Sequence, residues 1–160
     1  MQLRWARRVA DTTGLLVFII EDTKLAVDLE QVDRVVRAAT LRPLPGAPQN
    51  VLGLLNLYGT PVPVISLRKR LNFEERELDT TDEIVILKRD GTLLGIVVDE
   101  VEDVCHVEGV ARLAKAAGLT HLTGALEMPG GTVLVHDIDK FLSSKEELDL
   151  AKALSRSEPE

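Results

Sequence analysis

An internal repeat constrains the fold of this chain more than any other feature of its sequence. The stretch AVDLEQVDRV (residues 26–35) matches GIVVDEVEDV (residues 95–104) at an offset of 69 residues, which is 95 minus 26, and apolar positions coincide. Further on, GLLNLYGTPVPVISLRKRL (residues 53–71) matches GALEMPGGTVLVHDIDKFL (residues 124–142) at an offset of 71, which is 124 minus 53. Because both matches occur in the same order, the sequence indicates a tandem duplication of one unit.

Within each copy the sequence predicts short strands joined by tight turns. LLVFII and KLAVDL flank residues 21–23, and EIVILK and TLLGIVV flank residues 89–91, where Asp-Gly is a strong hairpin signal. A third hairpin turns at residues 58–60, and its second strand is followed by a predicted short basic helix of one turn that ends by Leu71. With only 3% aromatic residues, the core must be built from Val, Leu, Ile and Ala. The prediction is an all-β fold.

The duplication also predicts the domain organisation. We expect one domain over residues 12–144, with a first half at about 15–71 and a second half at about 83–142. The stretch between the halves, NFEERELDTTD, is polar and acidic, as expected of a solvated connection. Residues 145–160 are expected to form a C-terminal helix and tail.

The terminal helix is predicted from a local pattern. Ser144 and Glu147 have the spacing of a capping box, in which a hydroxyl and a carboxylate satisfy backbone N–H groups at a helix start. Leu148, Ala151 and Leu154 follow at roughly helical spacing, so they are the predicted apolar face.

Composition and charge exclude several classes of function. The formal net charge is -7 and the pI is near 5.0, whereas a nucleic-acid surface needs a basic face, so no nucleic-acid partner is expected. Cys105 is the only cysteine, which excludes an intrachain disulfide and a metal site built on several thiolates. The longest apolar run, residues 15–20, is far short of the roughly 20 residues that span a bilayer, so no membrane insertion is expected and the cytosol fits best.

Catalytic and metal-binding signals are weak in this sequence. The three histidines, His106, His121 and His136, are scattered and match no zinc-ligand spacing. The best cluster is His136 with Asp137 and Asp139, and it supports a small hydrolase as the enzymatic alternative. Strand alternation, however, sends neighbouring residues to opposite faces. We therefore expect no catalytic residue, no metal and no cofactor.

Acidic residues at two predicted strand ends are the remaining candidates for acid/base chemistry, which uses paired carboxylates. We expect them instead to form an acidic, solvated flank. They are Glu30, Asp33, Asp99, Glu100, Glu102 and Asp103.

One segment carries a family resemblance. The run VLGLLNLYGTPVPVISLRKRL (residues 51–71) resembles the V-x-G-L-I-N-L-R-G-x-x-V-P-V-I-D-L-R signature of CheW-type chemotaxis coupling proteins, and VDRVV, LPGAP, GIVVDEVEDV, LTGAL and LVHDIDKFL fall in the family's order. The resemblance covers roughly residues 15–142. It implies two small five-stranded β-barrel subdomains, of the SH3 or OB type, with some strands exchanged between the halves, short helices and a C-terminal helix.

The resemblance further implies a non-enzymatic adaptor that couples chemoreceptors to the histidine kinase CheA. Such an adaptor binds the cytoplasmic tip of a chemoreceptor and the regulatory domain of the kinase, and it is recruited from the cytoplasm to membrane-associated receptor arrays. The positions that match the family's receptor-binding residues are Val32, Val35, Tyr58, Gly59 and Val104. For the kinase face the resemblance indicates only a region, around Val36, Leu41, Leu44 and Pro61.

One residue departs from the family signature. Where N-L-R-G has arginine, this chain has Tyr58, which lacks the five-donor fork and the fixed charge that can pair with a carboxylate on a partner. We expect Tyr58 at an exposed hairpin tip. A CheW-like regulatory module of an atypical pathway, such as gliding or twitching, that binds only one partner stays open as the alternative.

Overall fold

A computed structural model describes residues 12–108, 122–128, 131–136 and 141–157 of the chain. The described residues form short strands, one 3-10 turn and one α-helix. In chain order the elements are β1 Thr12–Ile20, β2 Thr23–Asp28, the 3-10 turn Leu29–Gln31, β3 Val32–Arg37, β4 Val51–Leu57, β5 Thr60–Ile65, β6 Glu83–Arg89, β7 Thr92–Val98, β8 Glu100–Glu108, β9 Leu122–Met128, β10 Gly131–His136 and α1 Ser144–Ser157.

The strands form two five-stranded sheets, which belong to two compact units. Unit 1 contains the sheet with strand order β8-β1-β2-β10-β9, and unit 2 contains the sheet with order β3-β6-β7-β5-β4 together with α1. In unit 1, β10 runs parallel to β2, and in unit 2, β5 runs parallel to β7. The two sheets therefore have the same topology. The predicted all-β fold with five strands per subdomain is confirmed.

Each sheet takes strands from both copies of the repeat. The unit 1 sheet pairs β1 and β2 of the first copy with three strands of the second, and the unit 2 sheet pairs β6 and β7 of the second copy with three strands of the first. Equivalent strands have matching bounds: β9 and β10 begin and end 71 residues after β4 and β5, since 122 minus 51 and 131 minus 60 are both 71. The tandem duplication and the exchange of strands that the resemblance implied are therefore confirmed.

Aliphatic side chains build the cores of both units, as the low aromatic content requires. Unit 1 packs alternate residues of β1 and β10 around Ala26, because residues two apart on a strand share a face. These are Leu15, Val17, Val133 and Val135, with Cys105 against them. Unit 2 packs a comparable group from three strands, β4, β5 and β6: Leu55, Val62, Val64, Ile84 and Ile86.

The predicted hairpin turns form where the sequence indicates them. Residues 21–22, 58–59 and 90–91 each connect two antiparallel strands, and a non-glycine residue has positive φ in each turn. The short basic helix predicted after the third hairpin, one helical turn in length, forms as a single turn only. That segment is a hydrogen-bonded turn, in which the N–H of Leu71 reaches the carbonyls of Leu67 and Arg68 at 3.0 and 3.1 Å, and the chain does not continue as a helix.

Helix α1 confirms the predicted C-terminal helix but corrects its cap. The hydroxyl of Ser143 accepts from the N–H of Glu146 at 3.1 Å, and the N–H of Ser143 donates to the Glu146 carboxylate at 2.8 Å. This reciprocal pair is a capping box one residue earlier than the predicted Ser144 and Glu147.

Across the described part of the chain, no helix has the length and apolar character needed to cross a membrane.

The apolar face of α1 also differs from the prediction. Leu150 and Ala153 are buried and pack with Leu44 and Leu54 of unit 2, with Leu142 and Leu154 at the edge of this cluster. Leu148 is 56% exposed and Ala151 is also exposed, so they do not belong to the packed face. The residues that pack are therefore not those that the sequence spacing indicated. Of the predicted face, Leu148, Ala151 and Leu154, only Leu154 is correctly assigned.

The segment between the repeats is more tightly held than a solvated connection. Asp82 is 2% exposed and accepts two hydrogen bonds from Arg76, at 2.7 and 2.9 Å. Arg76 also reaches Asp99, which pairs in addition with the buried Arg68. Asp99 is therefore part of an ion-pair network in unit 2, and the expected solvated acidic flank is wrong at this position.

Candidate functional site

The tip of the β4–β5 hairpin presents Tyr58 to solvent. Its side chain is 91% exposed, and φ is +50° at Tyr58 and +89° at Gly59, as in the type I′ turns that suit hairpins. The N–H of Gly59 donates to Oδ1 of Asn56 at 2.8 Å, which fixes the turn. A positive φ costs a non-glycine residue on the order of 1 kcal/mol, and such a conformation persists only where the surrounding structure determines it. The turn therefore holds Tyr58 in a defined outward position.

Arg34 of β3 lies over the ring of Tyr58. Its guanidinium carbon is 5.7 Å from the ring centroid, a cation–π distance, and its Nε donates to the carboxylate of Asp33 at 2.7 Å. The Arg34 side chain is 46% exposed. Sequence reasoning missed Arg34, because the contact joins residues that are 24 positions apart (58 minus 34) and only strand placement brings them together.

The other expected receptor-binding residues differ in the unit to which they belong and in their solvent exposure. In unit 2, Val35 follows Arg34 on β3 and is half-buried, while Gly59 is exposed beside Tyr58. In unit 1, Val104 of β8 is 41% exposed, and Val32, where β3 begins, is half-buried. Each of these residues therefore keeps some accessible surface.

The expected kinase-face residues all lie in unit 2 but are not equivalent. Val36 and Leu41 pack against the core of the sheet and remain half-buried, and Pro61 on β5 is exposed. Leu44 is 8% exposed because Leu150 and Ala153 of helix α1 cover it. Leu44 is thus a core residue under the helix, whereas the other three retain accessible surface.

A groove of about 710 Å³ opens beside Leu41 on unit 2. Its walls are the segment after β3 and the segment before β6, and Leu52 on β4, 38% exposed, adds an apolar side chain. We call it the unit 2 groove, and its lining residues are Ala38, Ala39, Thr40, Leu41, Leu52, Arg76, Glu77, Leu78, Asp79 and Thr80. Sequence reasoning found only Leu41 among them.

A backbone hydrogen bond and the Arg76–Asp82 ion pair hold the walls of the unit 2 groove. The carbonyl of Asp82 accepts from the N–H of Ala38 at 3.0 Å, so one wall is tied to the other. Burial opposes ionisation of the Asp82 carboxyl, but hydrogen bonds from Arg76 and from the N–H of Asp79, with the Arg76 charge, outweigh it and hold its pKa below the usual range. The hydrogen bond to Asp82 is the largest cause that raises the pKa of Arg76, and the charges of Asp82 and Asp99 add to it against the effect of burial. The pair is therefore charged at neutral pH.

Within the described residues, the expected chemical candidates do not assemble into a site. His136 is buried at the end of β10, whereas His106 on β8 is exposed. Burial, and then the charge of Asp103, raises the pKa of the Cys105 thiol, which opposes nucleophilic reactivity at neutral pH. Among the residues that the structure describes, no group of His, Cys, Asp and Glu side chains is arranged to hold a metal ion. The remaining candidates, His121, Asp137 and Asp139, lie outside the described residues.

Comparison with known proteins decides the family. The sequence model of the CheW-like domain matches residues 14–146, which include nearly all of the strands described above. The chain belongs to the CheW-like domain family. The chemotaxis protein CheW of Treponema pallidum is 30% identical over 146 residues, covering 86% of each chain. The chemotaxis protein CheW of Bacillus subtilis is 33% identical over 93 residues, covering 58% of this chain and 60% of that protein.

A solved structure shares the CheW-like fold of this chain. The scaffolding protein TtCheW from Thermoanaerobacter tengcongensis superposes with a TM-score of 0.71, at 19% identity, over 84% of this chain and 94% of that one. At this identity the likeness concerns the fold alone. The resemblance inferred from the N-L-x-G segment is confirmed, and membership of the CheW-like family supports the chemotaxis coupling role that the resemblance implied.

Proposed function

We propose that this chain is a non-enzymatic adaptor that couples a chemoreceptor to a CheA-type histidine kinase. The observation that carries the proposal is the CheW-like family match over residues 14–146. An adaptor needs two accessible surfaces rather than a catalytic cleft, and unit 2 alone offers an aromatic hairpin tip and a separate apolar groove. No step of this function requires a cofactor or a metal.

The residues proposed to bind the receptor are Val35, Tyr58 and Gly59 on unit 2 and, taken separately, Val32 and Val104 on unit 1. Tyr58 is the strongest candidate because exposed tyrosines supply a large rigid apolar face at low entropic cost, as in binding hot spots. A receptor tip is a helical hairpin, and apolar side chains on a helix face suit contacts with such exposed aliphatic and aromatic residues.

The kinase surface is proposed to be the unit 2 groove, which Leu41 lines, together with Val36 and Pro61 of the same unit. Leu41 and Leu52 supply apolar surface, and the Arg76–Asp82 pair keeps the groove walls in place. The buried Leu44 supports this surface from beneath through its packing with helix α1 and does not itself contact the kinase. The adaptor acts in the cytoplasm at receptor arrays.

Face-specific variants test this function. Tyr58→Ala changes the hairpin tip, Leu52→Glu places a charge at the groove, and Leu148→Glu alters an equally apolar, exposed residue on α1 that belongs to neither surface. We expect Tyr58→Ala to weaken binding of a receptor tip fragment by roughly 1–2 kcal/mol, a loss of about 5- to 30-fold, and to spare the kinase regulatory domain. Leu52→Glu should weaken binding of the kinase regulatory domain and spare the receptor tip fragment. Leu148→Glu should change the binding of neither partner.

The readout is calorimetric titration of the full chain with the tip fragment of its cognate chemoreceptor and with the regulatory domain of its cognate CheA-type kinase. Thermal unfolding of each variant separates lost contacts from lost folding. Binding of only one partner by the wild-type chain would support the one-partner regulatory module instead. Binding of neither partner would exclude the adaptor function, and a hydrolytic activity that His136→Ala abolishes would favour the enzymatic alternative.

A further inference from the structure

The hairpin tip carries a cation as well as an aromatic ring. Tyr58 holds no charge of its own, but Arg34 reaches it from β3 and lies 5.7 Å from the ring centroid. The stacked pair therefore presents a guanidinium and a phenol ring together on unit 2. Both side chains are accessible, at 46% and 91% exposure.

The Arg34 guanidinium is held in place, but only some of its N–H donors are engaged in hydrogen bonds. Arginine has five N–H donors, and within the described residues Arg34 directs Nε to Asp33 at 2.7 Å. Contact with Asp33 on one side and with the Tyr58 ring on the other restricts the side chain. A preorganised arginine fork loses little entropy on binding and matches the two oxygens of a carboxylate.

We infer that Arg34 and Tyr58 form one recognition site for a carboxylate side chain, Asp or Glu, on the receptor tip. The inference rests on the proposed function and names the chemistry of the group that the hairpin tip binds. The ring contacts the aliphatic part of the acidic side chain, and the guanidinium pairs with its oxygens. Arg34 thereby supplies, from another strand, the charge that is missing at position 58.

Charge favours a single carboxylate over a polyanion at this site. The chain has a net charge of -7, and Asp33 lies beside Arg34, so an extended phosphate backbone would be repelled. One carboxylate beside apolar helix surface needs only the local cation and the ring. Its attraction to Arg34 is short-ranged and is not opposed by the distant acidic residues at physiological ionic strength.

The test compares arginines on one strand. Arg34→Gln removes the stacked charge, and Arg37→Gln removes an exposed arginine three residues further along β3. Binding is measured between each full-length variant and the tip fragment of the cognate receptor, with the kinase regulatory domain as a second probe. We expect Arg34→Gln to lower receptor affinity about tenfold, Arg34→Lys to recover part of the loss, and Arg37→Gln to change it less than twofold.

Receptor variants identify the carboxylate. Each Asp or Glu of the tip fragment is changed singly to Asn or Gln, and one such change is expected to weaken binding of the wild-type chain but not of Arg34→Gln. Additive effects at every position would contradict the inference, as would equal binding by Arg34→Gln and Arg37→Gln, or an Arg34 effect confined to the kinase. In these cases the proposed function stands. If the wild-type chain binds neither probe, both the proposed function and the inference fail.

Discussion

Gly53 allows two segments of unit 2 to lie in close contact. Its φ is +151°, and a Cβ at this position would lie 2.7 Å from the carbonyl oxygen of Arg42. Arg42 and Leu54 exchange backbone hydrogen bonds at 2.7 and 2.8 Å across the same contact. The residue before Arg42 is Leu41, so Gly53 also positions one wall of the unit 2 groove.

Replacing Gly53 by Ala is expected to lower the free energy of unfolding by roughly 2 kcal/mol or more, because the backbone oxygen of Arg42 cannot move without breaking its hydrogen bonds. Gly91→Ala is the matched control. Gly91 has φ of +81° but open space around it, so only the backbone strain remains, about 1 kcal/mol. Urea unfolding of both variants checks this, and equal losses would contradict the steric explanation.

Asp82 makes the stability of unit 2 depend on pH. Its pKa is lowered in the folded chain, so folding is favoured above the unfolded-state value, and this contribution is lost as the pH falls through the folded value. We expect Asp82→Asn to cost about 2 kcal/mol at pH 7, because Arg76 loses its main partner. The loss should shrink as the pH falls below the ordinary value of 3.8 toward the lower pKa of the folded chain, because the unfolded chain then takes up a proton first.

The control for Asp82 is Asp90→Asn, a change at a carboxylate whose side chain is 94% exposed. Urea unfolding at pH 7, 5 and 3 should show no measurable loss for this variant. A wild-type chain and an Asp82→Asn variant whose stabilities fall in parallel between pH 7 and pH 3 would show that Asp82 does not carry the pH dependence.

At the scale of single elements, helix α1 shows what a local pattern can and cannot define. The sequence SSKEE contains two overlapping capping boxes, and nothing local distinguishes the pair Ser143 and Glu146 from the pair one residue later. The choice is made by tertiary contacts: Glu146 also pairs with Arg70, and Leu150 enters an apolar site formed by Leu44 and Leu54. The existence of the helix was therefore predictable, but its packed face was not.

Two leucines on α1 separate the predicted face from the observed one. Leu150→Ala is expected to cost about 2–3 kcal/mol, because the buried side chain leaves a cavity against Leu44 and Leu54. Leu148→Ala is expected to cost less than about 0.5 kcal/mol, because that side chain is 56% exposed. Chemical denaturation measures both. The reverse order would mean that the helix packs through the face that its sequence spacing first indicated.

At the scale of the whole molecule, the repeat predicted the strands but only the family resemblance indicated their exchange. Apolar alternation and turn residues locate β4, β5 and their equivalents, since a one-residue slip would turn the core face to solvent. Pairing between strands far apart in sequence leaves no such local signal. The contact between Arg34 and Tyr58 and the unit 2 groove depend on that pairing, which is why the sequence indicated Tyr58 and Leu41 but not Arg34 or Leu52.

Strand exchange predicts that neither half of the chain folds alone. A cut between Glu77 and Leu78 leaves β1 to β5 on one fragment and β6 to β10 with α1 on the other, and both sheets need strands from both fragments. Circular dichroism should show each purified fragment to be largely unfolded and a 1:1 mixture to recover β-structure. A native-like spectrum from either fragment by itself would contradict the exchanged topology.

Simultaneous binding is the property that distinguishes an adaptor from a one-partner module. The most direct measurement uses size-exclusion chromatography with light scattering. It gives the mass of the species formed when this chain is mixed with the receptor tip fragment and the regulatory domain of its cognate kinase. Coupling predicts one species whose mass requires all three components, with neither partner displacing the other as its concentration is raised. Two separate binary complexes that compete for the chain would contradict it.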